Sequence, residues 1–379
     1  MAWVLRLTSA EGRPDWKAER KIAGLSTALR LALSAQAGGA CRIEVAPDAD
    51  DVASLLRDPR LKIPVRIGRE PTDESPELAV EIPWNAVVHR DLFKALAASG
   101  AAGTRRLLEQ PFEFEPSFGF APILVVDRPS ASKAVGALLH SLRKTQDGWT
   151  STYLNRYVSL FFTRALVRTG LRPNQVSVGI LLFGAAGAYL ASRGTYWTML
   201  VGAFLFQMQS ILDGCDGELS RVTYRGSHLG EWLDTVGDDL TNYGFFAGTA
   251  VGMYRASGWW PYLVAGAVTV GCGVVASAIE YRYLYRIGSG DLLKYPLGVG
   301  TAPSSSQHKK GPIARALDAI APLFKRDTFV LMTFIGAVAG LLGPFLVVFA
   351  CGGVGIVIAV FKAELRMARE RRATRQAAG

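Results

Sequence analysis

From about residue 174 onward the chain is built of long apolar runs separated by short basic turns, a pattern that ordinary soluble folds do not carry. A helix needs about 20 consecutive apolar residues to cross the hydrocarbon core of a bilayer. Six stretches meet or approach that length: 174–193, 196–220, 229–254, 259–281, 327–342 and 344–362. Any one of them alone reads equally well as a buried core helix. Six in series, joined this tightly, point to an α-helical integral membrane protein with six transmembrane helices.

Lysine and arginine placement sets the expected orientation. One side receives Arg164, Arg168 and Arg172, then Arg221 and Arg225, then a group running from Arg282 and Arg286 through Lys294, Lys309, Lys310, Arg315, Lys325 and Arg326. The same side receives Arg366, Arg369, Arg371, Arg372 and Arg375. The opposite side has little beyond Arg193 and Arg255. Both termini are therefore expected in the cytoplasm, with the chain passing several times through the cell (inner) membrane. The net charge of +10 over 379 residues then reads as topology and attraction to anionic lipid. No soluble basic module stands out, so nucleic acid is not an expected partner. The N-terminus lacks the continuous apolar core of a signal peptide. Cys41, Cys215, Cys272 and Cys351 show no metal-ligand spacing and read as reduced thiols.

Carboxylates are costly inside a membrane and mark ion or substrate sites by default. Asp213 and Asp216 lie near one end of the second apolar run, Asp234 and Asp238 near the start of the third. At about 100° per residue, Asp213, Asp216, Gly217 and Ser220 share one helical face, with Arg221 at its edge. Gly230, Asp234 and Asp238 share a face of the next helix. Two helices thus present four carboxylates to a common space, and such a cluster repels itself unless cations occupy it.

The residues Asp213-x2-Asp216-Gly217-x2-Ser220-Arg221-x8-Gly230-x3-Asp234-x3-Asp238 resemble the signature of the CDP-alcohol phosphotransferase family, D-x2-D-G-x2-A-R-x8-G-x3-D-x3-D. Ser220 replaces the signature alanine; every other position matches. The resemblance implies an enzyme that transfers a phosphoalcohol or phosphatidyl group from a CDP-linked donor to an alcohol, releasing CMP. It implies two divalent ions, Mg2+ or Mn2+, held by Asp213, Asp216, Asp234 and Asp238, with Asp238 as the general base. Gly217, Ser220, Arg221 and Gly230 would form the donor site. Pro173-Asn174 match a Pro-Asn pair that precedes the family's first span, and Asn174 is expected to cap that helix and to lie on the donor side. Donors of the CDP-diacylglycerol or CDP-inositol type, an alcohol acceptor, membrane lipid and a homodimeric assembly are the expected partners. A transporter built on intramembrane carboxylates would explain the acids but not Gly217, Arg221 and Gly230 at this spacing. A catalytically inactive family member is the remaining alternative, and four intact aspartates stand against it.

Residues 1–148 read as a separate small cytoplasmic α/β domain, with 149–379 as the membrane domain. Short apolar runs at Trp3–Leu7, Arg42–Ala46, Ile63–Ile67, Leu78–Ile82 and Pro122–Val126 predict strands. Ile22–Gln36, Asp50–Arg57, Asp91–Ala98 and Ser130–Arg143 predict helices. The order, and the passage Lys21-Ile-Ala-Gly24-Leu-Ser, resemble a nucleotidyltransferase domain. Such a domain is fused to a CDP-alcohol phosphotransferase in bifunctional proteins that make CDP-inositol and di-inositol phosphate. The junction Lys144 to Arg156 is similar to theirs. The phosphate loop of that family is glycine-rich, whereas here it reads Thr8-Ser-Ala-Glu11-Gly12-Arg13-Pro14. A metal-binding aspartate is replaced by the passage Ile82-Pro-Trp-Asn85-Ala. A degenerate, catalytically silent domain is the expectation, with a divergent active cytidylyltransferase as the alternative.

Thr152 to Arg168 carries apolar residues at helical spacing with Arg156 and Arg164 opposite, and predicts an amphipathic juxtamembrane helix. Glu280, Glu231 and His228 read as interfacial or solvated groups. Gly288 to Gly311 reads as a flexible loop.

Overall fold

The computed structural model describes residues 3–12, 14–68, 78–99, 103–108, 119–142, 155–297 and 326–377. The chain divides into two compact units. The first comprises Met1–Lys144, Arg164–Gly170 and Glu218–Arg225; the second comprises Thr145–Thr163, Leu171–Gly217 and Gly226–Gly379.

The first unit contains a five-stranded parallel sheet: β1 (Trp3–Thr8), β2 (Arg42–Val45), β3 (Val65–Ile67), β4 (Leu78–Pro83) and β5 (Gly103–Arg106). The strand order is β3-β2-β1-β4-β5. Helices α1 (Thr27–Ala37), α2 (Arg90–Ala98) and α3 (Arg128–His140) accompany it. Parallel strands need crossovers, and their alternating side chains bury both faces. Trp3, Leu5, Leu7, Ile43, Val80 and Ile82 are buried with Leu31, Ala32, Leu92 and Phe93. Trp3 stacks on Phe93 at 5.4 Å. Register places Arg6 level with Glu44 and Glu81 on the flanking strands, and its guanidinium bonds both at 3.1 and 2.8 Å. Ser26 caps α1, and Asp127 with Ser130 forms a capping box on α3.

Several expected elements shift. The predicted helix from Ile22 begins only at Thr27, because Lys21–Ile22 and Leu25–Ser26 pair antiparallel. Ala23 and Gly24, at φ 46° and 83°, turn the chain between them. The predicted helix at Asp50–Arg57 is a 3-10 segment from Pro47 to Leu56. Pro122–Val126 contributes only Ile123–Leu124, paired with Ala86–Val87 outside the main sheet. The edge strand β5, sequence GTRR, has no apolar alternation to announce it.

In the second unit the helices are α5 (Pro173–Ala191), α6 (Tyr196–Thr223), α7 (His228–Ser257), α8 (Pro261–Ile287), α9 (Arg326–Val338) and α10 (Leu342–Ala377). The last six residues of α6, 218–223, fall in the first unit by compactness. Helix α4 (Arg156–Thr169) precedes them, and residues 152–154 of the expected amphipathic helix lie outside the described residues. Tyr157 and Phe161 are exposed on α4, as suits a helix lying in a membrane interface. Helices occupy each expected span. Among the described residues three are long and apolar enough to cross a membrane: Pro173–Ala191, Pro261–Ile287 and Leu342–Thr374. Helices α6 and α7 are long but carry the motif carboxylates, and α9 has 13 residues. The last helix runs past the expected end at 362 to Ala377.

Glycines set how closely these helices meet. A Cβ on Gly248 or Gly252 of α7 would lie 2.2 or 2.0 Å from the Ala188 or Ala191 carbonyl oxygen of α5. One on Gly187 would lie 2.9 Å from the Gly202 oxygen of α6. Phe206 and Phe245 stack at 4.3 Å between α6 and α7.

Candidate active site

Helix α7 starts at a defined point. Ser227 accepts a hydrogen bond from the Gly230 N–H at 3.0 Å, which caps the helix that begins at His228. From there the 3.6-residue repeat stacks Asp234 and Asp238 on one face. Helix α6 supplies Asp213 and Asp216.

Two of these carboxylates meet at one cation. Arg326, in the first turn of α9, places Nη1 2.8 Å from Asp213 Oδ2 and 2.6 Å from Asp238 Oδ2. Its Nη2 donates to Gln209 Oε1 at 3.0 Å. Asp213 and Asp234 both lie within electrostatic reach of Asp238. Asp238 Oδ1 is buried with no hydrogen-bond partner. Asp216, 6% exposed, accepts a short hydrogen bond from Ser177 Oγ of α5. Asn174 and Gly230 also come together: a Cβ on Gly230 would lie 3.1 Å from Asn174 Oδ1. Asn174 does not cap α5, however. The helix begins at Pro173 with Arg172 at the cap, and Gln175 Oε1 accepts from the Arg172 N–H at 2.9 Å. Proline at the first helical position needs no donor of its own, so Asn174 is free to turn its side chain elsewhere. Gly217 lies on α6 beside Asp216; Ser220 and Arg221 belong to the first compact unit.

Among the described residues no three acidic, imidazole or thiol groups are arranged to hold a metal ion. The guanidinium of Arg326 stands where Asp213 and Asp238 converge and balances their charge. The donor set itself, carboxylate oxygens with one buried and unpartnered, is what a hard divalent cation takes. The residues therefore fit such an ion once Arg326 gives way.

Sequence reasoning missed Arg326, Gln209 and Ser177. It also missed Asp239, one residue beyond Asp238. Asp239 Oδ2 accepts from Tyr281 at 2.6 Å and from Ser277, and Tyr243 shares a 2.6 Å hydrogen bond with Ser277. Thr235 donates to the Gly290 carbonyl at 2.6 Å. This polar seam ties one face of α7 to α8 and fixes which way Asp234 and Asp238 point. His228 approaches the Gly288 carbonyl at 3.2 Å, as a loop-facing histidine does.

Residues 170–359 match the family model described as CDP-alcohol phosphatidyltransferase. Relatives include the "Bifunctional IPC transferase and DIPP synthase" of Thermococcus kodakarensis, 32% identical over 157 residues, which are 41% of this chain and 35% of that one. The protein of the same name from Rubrobacter xylanophilus is 37% identical over 127 residues, 33% of this chain and 28% of its own. The matches thus span about a third of the length of these curated relatives. A crystal structure of Mycobacterium tuberculosis phosphatidylinositol phosphate synthase with CDP-DAG bound superposes with a TM-score of 0.41 at 18% identity, over 55% of this chain and 93% of that one. That likeness is too slight to carry residue roles across.

Proposed function

The chain belongs to the CDP-alcohol phosphatidyltransferase family, and we propose that it transfers a phosphoalcohol or phosphatidyl group from a CDP-linked donor to an alcohol, with release of CMP. The observation that carries this reading is the meeting of Asp213 and Asp238 at a single cationic group, with Asp238 Oδ1 buried and unpartnered. A pair of acidic helices so arranged is a seat for cations, and pyrophosphate cleavage is chemistry that needs them.

Two divalent ions, Mg2+ or Mn2+, held by Asp213, Asp216, Asp234 and Asp238, would polarise the donor diphosphate and offset charge on the departing CMP. The chain's own residues do the rest. Asp238 accepts the proton of the acceptor hydroxyl as its oxygen bonds to the donor phosphorus. The bond from that phosphorus to the CMP oxygen breaks, and CMP leaves with the electron pair. Ser177 holds Asp216 in place. Gly217 and Gly230 keep the path of the nucleotide clear, Ser220 lies against it, and Arg221 pairs with phosphate. Asn174, beside Gly230, joins the donor side.

The donor is of the CDP-diacylglycerol or CDP-inositol type. The junction's resemblance to inositol-phosphate fusions, and the shared name of the relatives, favour inositol chemistry. The first unit carries no working nucleotide site in this reading. Its sheet order puts the switch point between β1 and β4, where open α/β sheets bind ligands. Asn85 fills that place. It is fully buried, its Oδ1 accepts from the Glu11 N–H at 3.1 Å, and its Nδ2 donates to the Glu11 and Val125 carbonyls at 2.9 and 3.2 Å. The asparagine thus takes the Glu11 N–H, one of the donors such a loop would turn towards a triphosphate. The domains in this reading are 1–148 and 149–379. The membrane domain crosses six times with both termini in the cytoplasm, in the inner membrane, and assembles as a homodimer.

The test is an assay of detergent-purified protein with labelled CDP-diacylglycerol and CDP-inositol against inositol, inositol phosphate and glycerol phosphate, with products identified by mass. A CDP-dependent phosphodiester product is expected. Intact donor in every combination, from a folded protein supplied with Mg2+ and Mn2+, would refute the reading.

A further inference from the structure

Within the first compact unit a cavity of about 150 Å³ is walled by Arg30, His89, Arg90, Ser141, Arg221 and Tyr224, with apolar side chains between them. Among the described residues no carboxylate lines it.

Arg30 is the unusual member. It is 1% exposed, and its guanidinium meets only neutral groups: Nη1 donates to the Val222 carbonyl at 2.9 Å, and Nη2 to the Ile22 and Ala23 carbonyls at 2.8 Å each. Its Nε–H is buried without a partner. Burial lowers its pKa to about 10; Tyr224 opposes that shift and Arg60 adds to it. A buried cation with no counter-charge is a standing cost, which an anion would relieve.

The second positive element is α2. His89 is its N-cap and Arg90 its first residue, so the positive end of a nine-residue helix meets the same cavity. Asp91 is drawn to Lys94 at 3.1 Å and Arg90 at 3.8 Å, and is not among the lining residues. Tyr224, at φ 53°, holds a strained backbone and shares a 2.7 Å hydrogen bond with Ser34.

We propose that this cavity binds a phosphate group, presented either by a soluble phosphomonoester or by the headgroup of an anionic lipid. The size suits the phosphate and a small part of what carries it. Its chemistry is the inverse of the carboxylate site: Arg30, buried among neutral acceptors, offers its charge to an anion there. Occupancy supplies the counter-charge that Arg30 lacks and stiffens the 222–224 segment to which Arg30, Arg60 and Ser34 are bonded. A domain that no longer turns over nucleotide would thereby still respond to phosphate. The cavity shares Arg221, at the end of α6, with the proposed donor site, and binding measured without donor tests it apart from catalysis.

The experiment uses the full chain in detergent, without donor. Calorimetry and thermal unfolding are recorded with inorganic phosphate, with glycerol phosphate, and with mixed micelles of phosphatidic acid or phosphatidylcholine. Saturable binding and a raised Tm are expected with phosphate-bearing probes and not with phosphatidylcholine. A response to the soluble probes assigns a soluble source; a response to phosphatidic acid alone assigns a lipid headgroup. Arg90→Glu, whose side chain is 42% exposed, should fold and weaken binding at least tenfold. Arg30→Met should abolish binding, and Asp238→Asn should leave it unchanged. No saturable binding of any phosphate probe, an equal response to phosphatidylcholine, or wild-type affinity in folded Arg90→Glu would overturn the proposal.

Discussion

Arg326→Gln is expected to tighten divalent-cation binding. The guanidinium bonds Asp213 at 2.8 Å and Asp238 at 2.6 Å, so a divalent ion at these carboxylates competes for the same oxygens. Hydrogen bonds to charged groups contribute about 1.5–3 kcal/mol each. The side chains of Arg326, Asp213 and Asp238 are 19, 21 and 22% exposed, so solvent screens the contacts only in part. An ion that must break one of these bonds loses that amount, and each 1.4 kcal/mol is tenfold in affinity. Removing Arg326 should therefore raise affinity about 10–100-fold. Manganese binding to detergent-purified protein, followed by electron paramagnetic resonance, reads this directly. The metal-free variant should also unfold at lower temperature and recover on adding the ion, because two carboxylates are then left facing each other. Arg326→Lys keeps the charge and should change affinity much less. Unchanged or weaker manganese binding in Arg326→Gln would show that the guanidinium and the metal do not share these carboxylates.

Asp213→Ala, Asp216→Ala and Asp234→Ala should each abolish transfer while the protein still inserts and folds; near-normal rates in all three would remove the metal assignment. Gly248→Leu puts a side chain where even a Cβ lies 2.2 Å from the Ala188 carbonyl oxygen, and should cost at least about 2 kcal/mol, read as a lower Tm in detergent; an unchanged Tm would show the α5–α7 contact is looser than described. The first unit should lose stability in acid. Burial pushes the Glu81 carboxyl up, but hydrogen bonds from Arg6 and Arg106 hold it below its ordinary 4.5, and Arg60 holds Asp58 below its ordinary 3.8. Folded values below the unfolded ones mean that this stability is present above the ordinary carboxylate range and is lost as pH falls through the folded values. Protection factors of the Trp3–Thr8 amides against hydrogen exchange, taken against the intrinsic rate at each pH, should therefore fall below about pH 4; protection factors constant down to about pH 3 would contradict it.

The motif helices were legible because a 3.6-residue repeat fixes which side chains share a face, whatever else the chain does. That Asp213 and Asp238 approach one another was legible too, since both lie on the faces the spacing assigns to a common space. Arg326 was not. It lies 113 residues from Asp213, and in sequence it is one more basic residue at a membrane border. Only the packing of α9 against α6 and α7 gives it two acidic partners. Asp239 was hidden by adjacency: beside Asp238 it looks like part of the motif, yet a 100° turn sends it to Tyr281 and Ser277 on α8. Asn174 was misplaced by one turn position, because Pro173 already starts the helix and leaves no capping role. In the first unit, burial made β1, β2 and β4 readable as apolar runs. The edge strand β5 has little to bury, and its GTRR sequence gave no signal. The missing phosphate-loop glycine was visible in sequence, but not that Asn85 fills the space.

The most direct test of the central claim is CMP release from a labelled CDP-linked donor by the purified full chain, with Mg2+ or Mn2+, with chelator, and with Asp238→Asn. Release that needs an acceptor alcohol and the divalent ion, stops on chelation, and falls by about 10²–10⁴-fold in Asp238→Asn is the expected result, the usual scale for loss of a general base. CMP release that survives chelation, or that Asp238→Asn leaves at the wild-type rate, would contradict a metal-dependent transferase centred on these two helices.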